Sequence, residues 1–504
     1  MNRAAVMAKL LTYTGWIAAL AAIGAMTACD PNEDFLRGDS VNVRFELDTL
    51  RFDTVFTQLG SATRFLKIYN EGDQPVQLDQ VYVEGTTGVS FQINVDGVPG
   101  GIVEDAIIWG NDSIYVFVEV TIDPDQDISL SPFVVEDRLV VKTGNKTRSM
   151  LLEAWGQNAN YFPSRFNKGV PVVLRCDNQT ITWDSPLPYV IYGEVFIDSC
   201  LLQVAAGTHI YVHGGIANNE LLGTFNDGFL YTLPNGRIHL AGTLDNPITV
   251  EGDRLEEGFS QQPGQWLGLI AGRGSKGNLI EYTTIKNSIF GVYVDSAAEM
   301  TLRNVKIHTT SSSGLLGIHS KVNASNCLLF DNGGNAIQFT HGGEYQLDFC
   351  TVASFGVDAS ALALNNFQCY DNDCEVSSVY PLQANVTNCI FFGSRRDEII
   401  IQDATDRMEA NFFRLNMQHC LVKVDQLLTR NDAQYGDFFS TYCLNCVNGE
   451  SSSALFLDRA MDDYHLDTLS IAQDRGITLP LFPLDIDGTP RDAMPDIGCY
   501  ERID

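Results

Sequence analysis

The sequence predicts an all-β protein, an antiparallel β-sandwich followed by a parallel β-helix solenoid, on three observations. First, six stretches share one pattern: apolar, two variable residues, a small Thr, Val or Cys, one variable residue, apolar. They are Ile280–Ile285, Leu302–Ile307, Ala324–Leu329, Leu347–Val352, Val386–Phe391 and Met417–Val422, and they begin 22, 22, 23, 39 and 31 residues apart. A unit near 22 residues with two enlarged copies is the signature of a solenoid with loops inserted into some coils. Second, each unit is rich in Val, Ile, Phe and Thr and none has apolar positions at helical spacing, so the unit is built of strands and turns. Third, apolar and polar residues alternate with period two from Val41 to about Trp155, the mark of half-buried strands.

The amino terminus comes first in the chain. Arg3 and Lys9 precede the apolar run Leu10–Met26, which leads into Met26-Thr27-Ala28-Cys29. This arrangement resembles the bacterial lipoprotein signal peptide and lipobox, with Met26 where Leu is commoner. The resemblance implies a signal peptide over residues 1–28, a lipidated Cys29 as the mature first residue, and a membrane partner reached through that lipid. An acidic tether follows over residues 29–40. Its start, Asp30-Pro-Asn-Glu-Asp34, resembles the signal that sends lipoproteins of the Bacteroidota to the outer face of the outer membrane, which implies display at the cell surface.

Residues 41–156 form the sandwich. Val41, Val43, Phe45 and Leu47 alternate with polar residues, as do Ile114, Val116, Val118 and Val120. Further short apolar runs lie between turn signals such as Asn70-Glu-Gly-Asp73 and Thr143-Gly-Asn145. Such spacing reads as an immunoglobulin-like β-sandwich, with the consistent role of a spacer. Asp123-Pro-Asp-Gln-Asp127 starts like a calcium loop, but Ile128 stands where Gly is needed and Val134 where Glu is needed, so it is a polar turn.

A linker over residues 157–171 leads to the solenoid, residues 172–504. In the repeat, Asn304, Asn326 and Asn388 precede the small core residue, while Tyr282, Phe349 and His419 depart from that pattern. Asn tolerates the left-handed backbone of a very short turn between strands. The repeat resembles the right-handed parallel β-helix of the pectin-lyase-like fold, and Ala206-Gly-Thr208 and Gly242–Ile248 resemble its entry coils. Asp485-Ile-Asp-Gly-Thr-Pro-Arg491 and Pro495–Glu501 resemble the closing segment of Bacteroidota β-helix proteins, which implies a cap over the last coil.

One of the twelve cysteines is Cys29. Cys327, Cys350, Cys389 and Cys420 occupy one core slot of successive units, where parallel side chains about 4.8 Å apart suit free thiols better than disulfides. Cys369 with Cys374, and Cys443 with Cys446, sit in irregular regions where each pair can clamp a loop. Cys176, Cys200 and Cys499 are left unassigned.

With 32 Lys+Arg against 63 Asp+Glu, the net charge of −31 argues against nucleic acid as a partner. Stacking the units places Glu281 beside Arg303, Thr284 beside Lys306 and Lys286 beside His308, with Asp348 further along the first column. These residues, Glu281, Lys286, Arg303, Lys306, His308 and Asp348, are the candidate binding or catalytic surface, supplemented by Phe367, Tyr370 and Tyr380 in the insertions. Sugar-acid lyases of the resembling fold use a Lys or Arg base with calcium or cations beside it. No acidic cluster accompanies the basic residues here to hold calcium, and no cofactor or metal is predicted. The paired-Asp motifs of the hydrolases of that fold do not occur. The sequence therefore favours a glycan-binding or adhesive module, with a lyase or glycoside hydrolase acting on an acidic polysaccharide as one alternative and a structural scaffold as the other.

Overall fold

Alternation of apolar and polar residues makes one side of each early strand a core side, and in the structure those sides meet. The computed structural model describes residues 35–502 except 58–60, 62, 86–88, 123–132, 163–170, 220–222, 257, 372, 375–376 and 430–433. Cys29 and its lipobox, the acidic stretch Asp30–Asp34 and the turn Asp123–Asp127 lie outside the described residues. The chain divides into two units, residues 1–156 and 157–504.

The first unit is a β-sandwich of two five-stranded sheets. One has the order Arg44–Phe45, Arg64–Asn70, Asp112–Ile122, Val89–Val95, Val98–Gly100, and the other Thr49–Phe56, Lys146–Gln157, Phe133–Thr143, Val76–Val83, Ile102–Ile108. Ile114, Val116, Val118 and Val120 point inward against Leu66, Ile68, Leu78, Leu139 and Leu152, forming one buried core.

The second unit is a right-handed parallel β-helix. A coil runs through a strand on a first face, a strand on a second face, a one-residue corner, and a strand on a third face; Gly268–Ala271, Asn278–Glu281 and Thr283–Lys286 are one such set. Strands of the first two faces join in a 17-stranded sheet, and those of the third in an 11-stranded sheet. Asn160–Phe162, within the stretch read as a linker, already pairs in parallel with Tyr189–Tyr192 on the third face, so the solenoid's first strand precedes residue 172.

The corner explains the Asn slot. Tyr282, Asn304, Asn326, Phe349, Asn388 and His419 all have left-handed φ, between 42° and 55°. The three departures from Asn take the same conformation, because closing the coil requires it whatever the side chain. The next residue in each copy, Thr283, Val305, Cys327, Cys350, Cys389 or Cys420, is buried in the solenoid core. The four cysteines are free thiols, as is Cys499, while Cys369–Cys374, Cys443–Cys446 and Cys176–Cys200 are disulfides.

The carboxy-terminal segment corrects one expectation. Rather than covering the last coil, it folds back as a strap along the third face. Tyr464, Ile486, Cys499 and Tyr500 pack on Leu328, Phe330 and Ala353, while Leu455, Leu466, Ala472 and Ile497 pack on Ile390, Phe392 and Leu421. The corner side chains pin it: Asn326 donates to the Leu484 carbonyl at 2.9 Å, Asn388 to that of Ile477 at 2.7 Å, and His419 Nδ1 lies 3.1 Å from that of Arg475. Gly498 (φ 107°) lets the backbone approach so closely that a Cβ there would stand 2.6 Å from Thr351 Oγ1. The strap lies on the flank because that face carries outward apolar residues, which water would otherwise meet.

Candidate functional site

Period-two alternation along the second face turns every other side chain outward. Thr301, Asn323, Gln346, Asn385 and Asn416 are register partners on successive coils and form a central column. Arg303, Ser325, Asp348, Thr387 and Gln418 form the column on the corner side, and Glu299, Lys321, Glu344, Gln383 and Arg414 the one on the far side. The residues between them, Met300, Val322, Tyr345, Ala384 and Leu415, are buried. The result is a polar surface three columns wide, with its coils about 4.8 Å apart.

Two clefts border it. One, of about 550 Å³, lies between the corner column and the strap, with Arg303, Asn323, Gln346 and Asp348 on one wall and Leu481–Asp485 on the other. The other, of about 520 Å³, runs along the far column past Lys276, Glu299, Lys321, Glu344 and Arg414. The charges are largely paired within the surface: Lys276 with Glu299 at 3.3 Å, Lys321 with Glu344 at 3.4 Å, and Arg303 with Glu281 at 3.2 Å. The central column carries amides, each able to donate and accept at once. Asn416 donates to Asn385 Oδ1 at 3.1 Å.

The six residues predicted from sequence split across the corner. Glu281, Arg303 and Asp348 are on the second face in one column, as expected. Glu281 also meets His239 Nε2 at 2.9 Å. Asp348 is 8% exposed rather than open to solvent, and burial raises its carboxyl to about 6 although Gln346 donates to both its oxygens. Lys286, Lys306 and His308 are on the third face, and none offers a free base. Lys286 is 2.7 Å from Glu251 with both side chains mostly buried, and Lys306 is 3.6 Å from Asp487 of the strap. His308 stacks on Phe330 at 4.5 Å between centroids, and burial, then the charges of Lys286 and Lys306, hold its imidazole down to about 4. These three were expected on an open surface. Lys286 is closed in by its pairing with Glu251 and His308 by the Phe330 ring, whereas the Lys306 side chain stays 37% exposed beside the strap.

Of the aromatic residues in the insertions, only Tyr380 comes near the polar surface, against His319 at the edge of the far-column cleft. Phe367 lines a separate hollow of about 880 Å³ at the end of the first face. Tyr370 and Tyr380 pair through their hydroxyls at 3.1 Å, and the Tyr380 ring lies against His319. In that hollow Asp358 meets Arg395 at 2.6 Å, and Asp397 accepts from the Asp425 and Leu427 backbone, so these carboxylates hold loops together. Asp485 likewise spends both oxygens on the N–H groups of Asp487, Thr489 and Glu501, and Asp487 meets His465 and Lys306. Among the described residues no group of three or more His, Cys, Asp or Glu is placed to hold a metal ion.

The central amide column was missed from sequence, although its signal was present: Thr301, Asn323, Gln346, Asn385 and Asn416 each stand one position before the repeat's first apolar residue.

Residues 261–352 match the family model described as the right handed beta helix region. The β-helix coils bearing the first part of the polar surface fall within that match. No curated protein matches the chain in sequence. Among solved structures, the catalytic unit of a thermostable GH87 α-1,3-glucanase from Streptomyces thermodiastaticus is 9% identical with a TM-score of 0.26, covering 71% of this chain and 66% of that one. A family 123 glycoside hydrolase from Clostridium perfringens is 8% identical with a TM-score of 0.16, covering 23% of this chain and 26% of that one. This chain thus spans just under two thirds of the first and about a quarter of the second.

Proposed function

We propose that this β-helix binds a neutral polysaccharide along its second face, as part of a lipid-anchored protein of the outer membrane displayed at the cell surface. The observation that carries the reading is the column Thr301, Asn323, Gln346, Asn385, Asn416, which repeats hydrogen-bonding side chains at the coil spacing. Adjacent hydroxyls of a sugar need a donor and an acceptor side by side, and side-chain amides supply both without charge. A chain of sugars needs that contact repeated, and the coils repeat it. Neutral rather than acidic polymers suit a chain of net charge −31 whose cations on this face are mostly matched by carboxylates.

The test is retention of the purified protein on immobilised neutral and acidic polysaccharides. An Asn323→Ala, Gln346→Ala double variant should lose at least tenfold in affinity for a neutral polymer. Undiminished binding by that variant, or binding confined to acidic polymers, would sink the proposal. A second reading, glycoside hydrolysis, is favoured by one observation: Asp348 borders a cleft with its carboxyl held up to about 6, in the range of a general acid. Release of new reducing ends that disappears in Asp348→Asn, with retention intact, would establish it. Lys286 and Lys306, each paired with a carboxylate, and His308, stacked on Phe330, give no comparable support to a lyase.

A further inference from the structure

The strand Asp112–Ile122 breaks its own alternation at Ile114-Tyr-Val-Phe-Val118, where aromatic rings occupy the positions that should be polar. Tyr115 and Phe117 therefore stand on the outer face of their sheet, opposite the core. Phe65, the register partner of Phe117 on the neighbouring strand, joins them. The three rings are 56% (Phe65), 41% (Tyr115) and 39% (Phe117) exposed. Tyr115 and Phe117 lie 19° from parallel with centroids 6.0 Å apart, and Phe65 meets Tyr115 edge-on at 5.6 Å. Polar side chains frame the cluster. Lys67 reaches over the Tyr115 ring at 4.7 Å, Asn94 is the partner of Phe117 on the other neighbouring strand, and Gln92 is the partner of Glu119.

An exposed cluster of three adjacent aromatic rings is a candidate contact surface. Three rings at these exposures offer roughly 200–350 Å² of aromatic surface. A stable protein interface or a second copy needs about 800 Å² per partner, so the patch is too small for either on its own. It is the right size for a few sugar rings, whose C–H faces stack on aromatic rings while their hydroxyls reach hydrogen-bonding side chains at the rim. The near-parallel pair Tyr115 and Phe117 sets two aromatic rings in a row along the strand, and the rim residues Lys67, Gln92 and Glu119 carry both signs of charge and an amide. We propose that the sandwich is a carbohydrate-binding module in its own right, taking the flat face of a neutral glycan on Phe65, Tyr115 and Phe117, rather than a passive spacer.

The assignment stands apart from the β-helix surface, and the test separates them. The full-length purified protein, a Tyr115→Ala, Phe117→Ala variant and the Asn323→Ala, Gln346→Ala variant are compared for depletion by insoluble cellulose, mannan, chitin, β-1,3-glucan and α-1,3-glucan. Circular dichroism melting checks that both variants fold. The aromatic variant should lose at least tenfold in depletion by one or more of these polymers, and that same binding should persist in the β-helix variant. If the aromatic variant retains all of the parent's binding, the module does not exist. The same conclusion follows if the parent binds none of these polymers, or if the aromatic substitutions change only the oligomeric state. Loss confined to the β-helix variant would leave the second-face site standing and remove this one.

Discussion

At the scale of single residues, burial decides what each ionisable group can do. His308 belonged to the candidate binding or catalytic surface, yet burial against Phe330, then the charges of the neighbouring lysines, hold its imidazole down to about 4 from an ordinary 6.5. Between those values the unfolded chain takes up a proton that the folded chain refuses. Its contribution is therefore full above about pH 6.5 and is lost as the pH falls toward 4. Replacing His308 with Phe removes the titration and keeps the ring, so the variant's stability should fall less than the parent's between pH 7 and pH 4.5, by about 2 kcal/mol. Urea unfolding at the two pH values measures this, and equal losses would show that the imidazole titrates normally. Asp348 works in the opposite sense. Its carboxyl is raised to about 6, so its desolvation cost appears as the pH rises toward that value, and Asp348→Asn should stabilise the protein at pH 7. Whether a side chain pointed outward was legible from the repeat; whether it met water was not, because that depends on a segment far along the chain, such as Leu481–Asp485 beside Asp348.

At the scale of elements, the strap is the part whose removal should be felt most. Arg491 and Glu501 are 3.1 Å apart, and their side chains are 3% and 6% exposed. Arg491 also donates to Asn326 Oδ1 and to the Gly498 carbonyl, and its guanidinium lies 3.8 Å from the Phe349 centroid. Arg491→Met would leave Glu501 buried without its partner, at a cost of about 3–5 kcal/mol. Limited proteolysis should then cut first within the strap, whereas a parent-like digestion pattern would mean that apolar packing alone holds it. The thiol column is the other element with a clear expectation. Cys327, Cys350, Cys389 and Cys420 are fully buried, so a thiol reagent should modify them only after denaturation. Labelling of the native protein at any of the four would contradict the observed core register.

At the scale of the whole molecule, the reading of a surface-displayed lipoprotein rests on the sequence around Cys29. Cys29→Ser should abolish incorporation of labelled fatty acid and release the protein from the membrane fraction. Continued labelling would refute lipidation at that residue, and protection of the parent protein from protease on intact cells would refute surface display. The sequence by itself determined the solenoid, its register and its core, since a left-handed corner and a small buried residue recur in every copy and leave each neighbouring side chain one direction to point. The pairing of Glu281 with Arg303 and of Lys286 with His308 followed from that register alone. Tertiary structure decided which outward columns remain accessible. The strap descends on the third face, where Leu328, Phe330, Ile390 and Leu421 offer apolar surface, and leaves the second face uncovered, with Asn323, Gln346 and Asn385 half-buried and Asn416 exposed. A local repeat specifies contacts between adjacent coils, but the docking of a distant segment depends on the summed apolar area of several coils, which exists only once they are stacked.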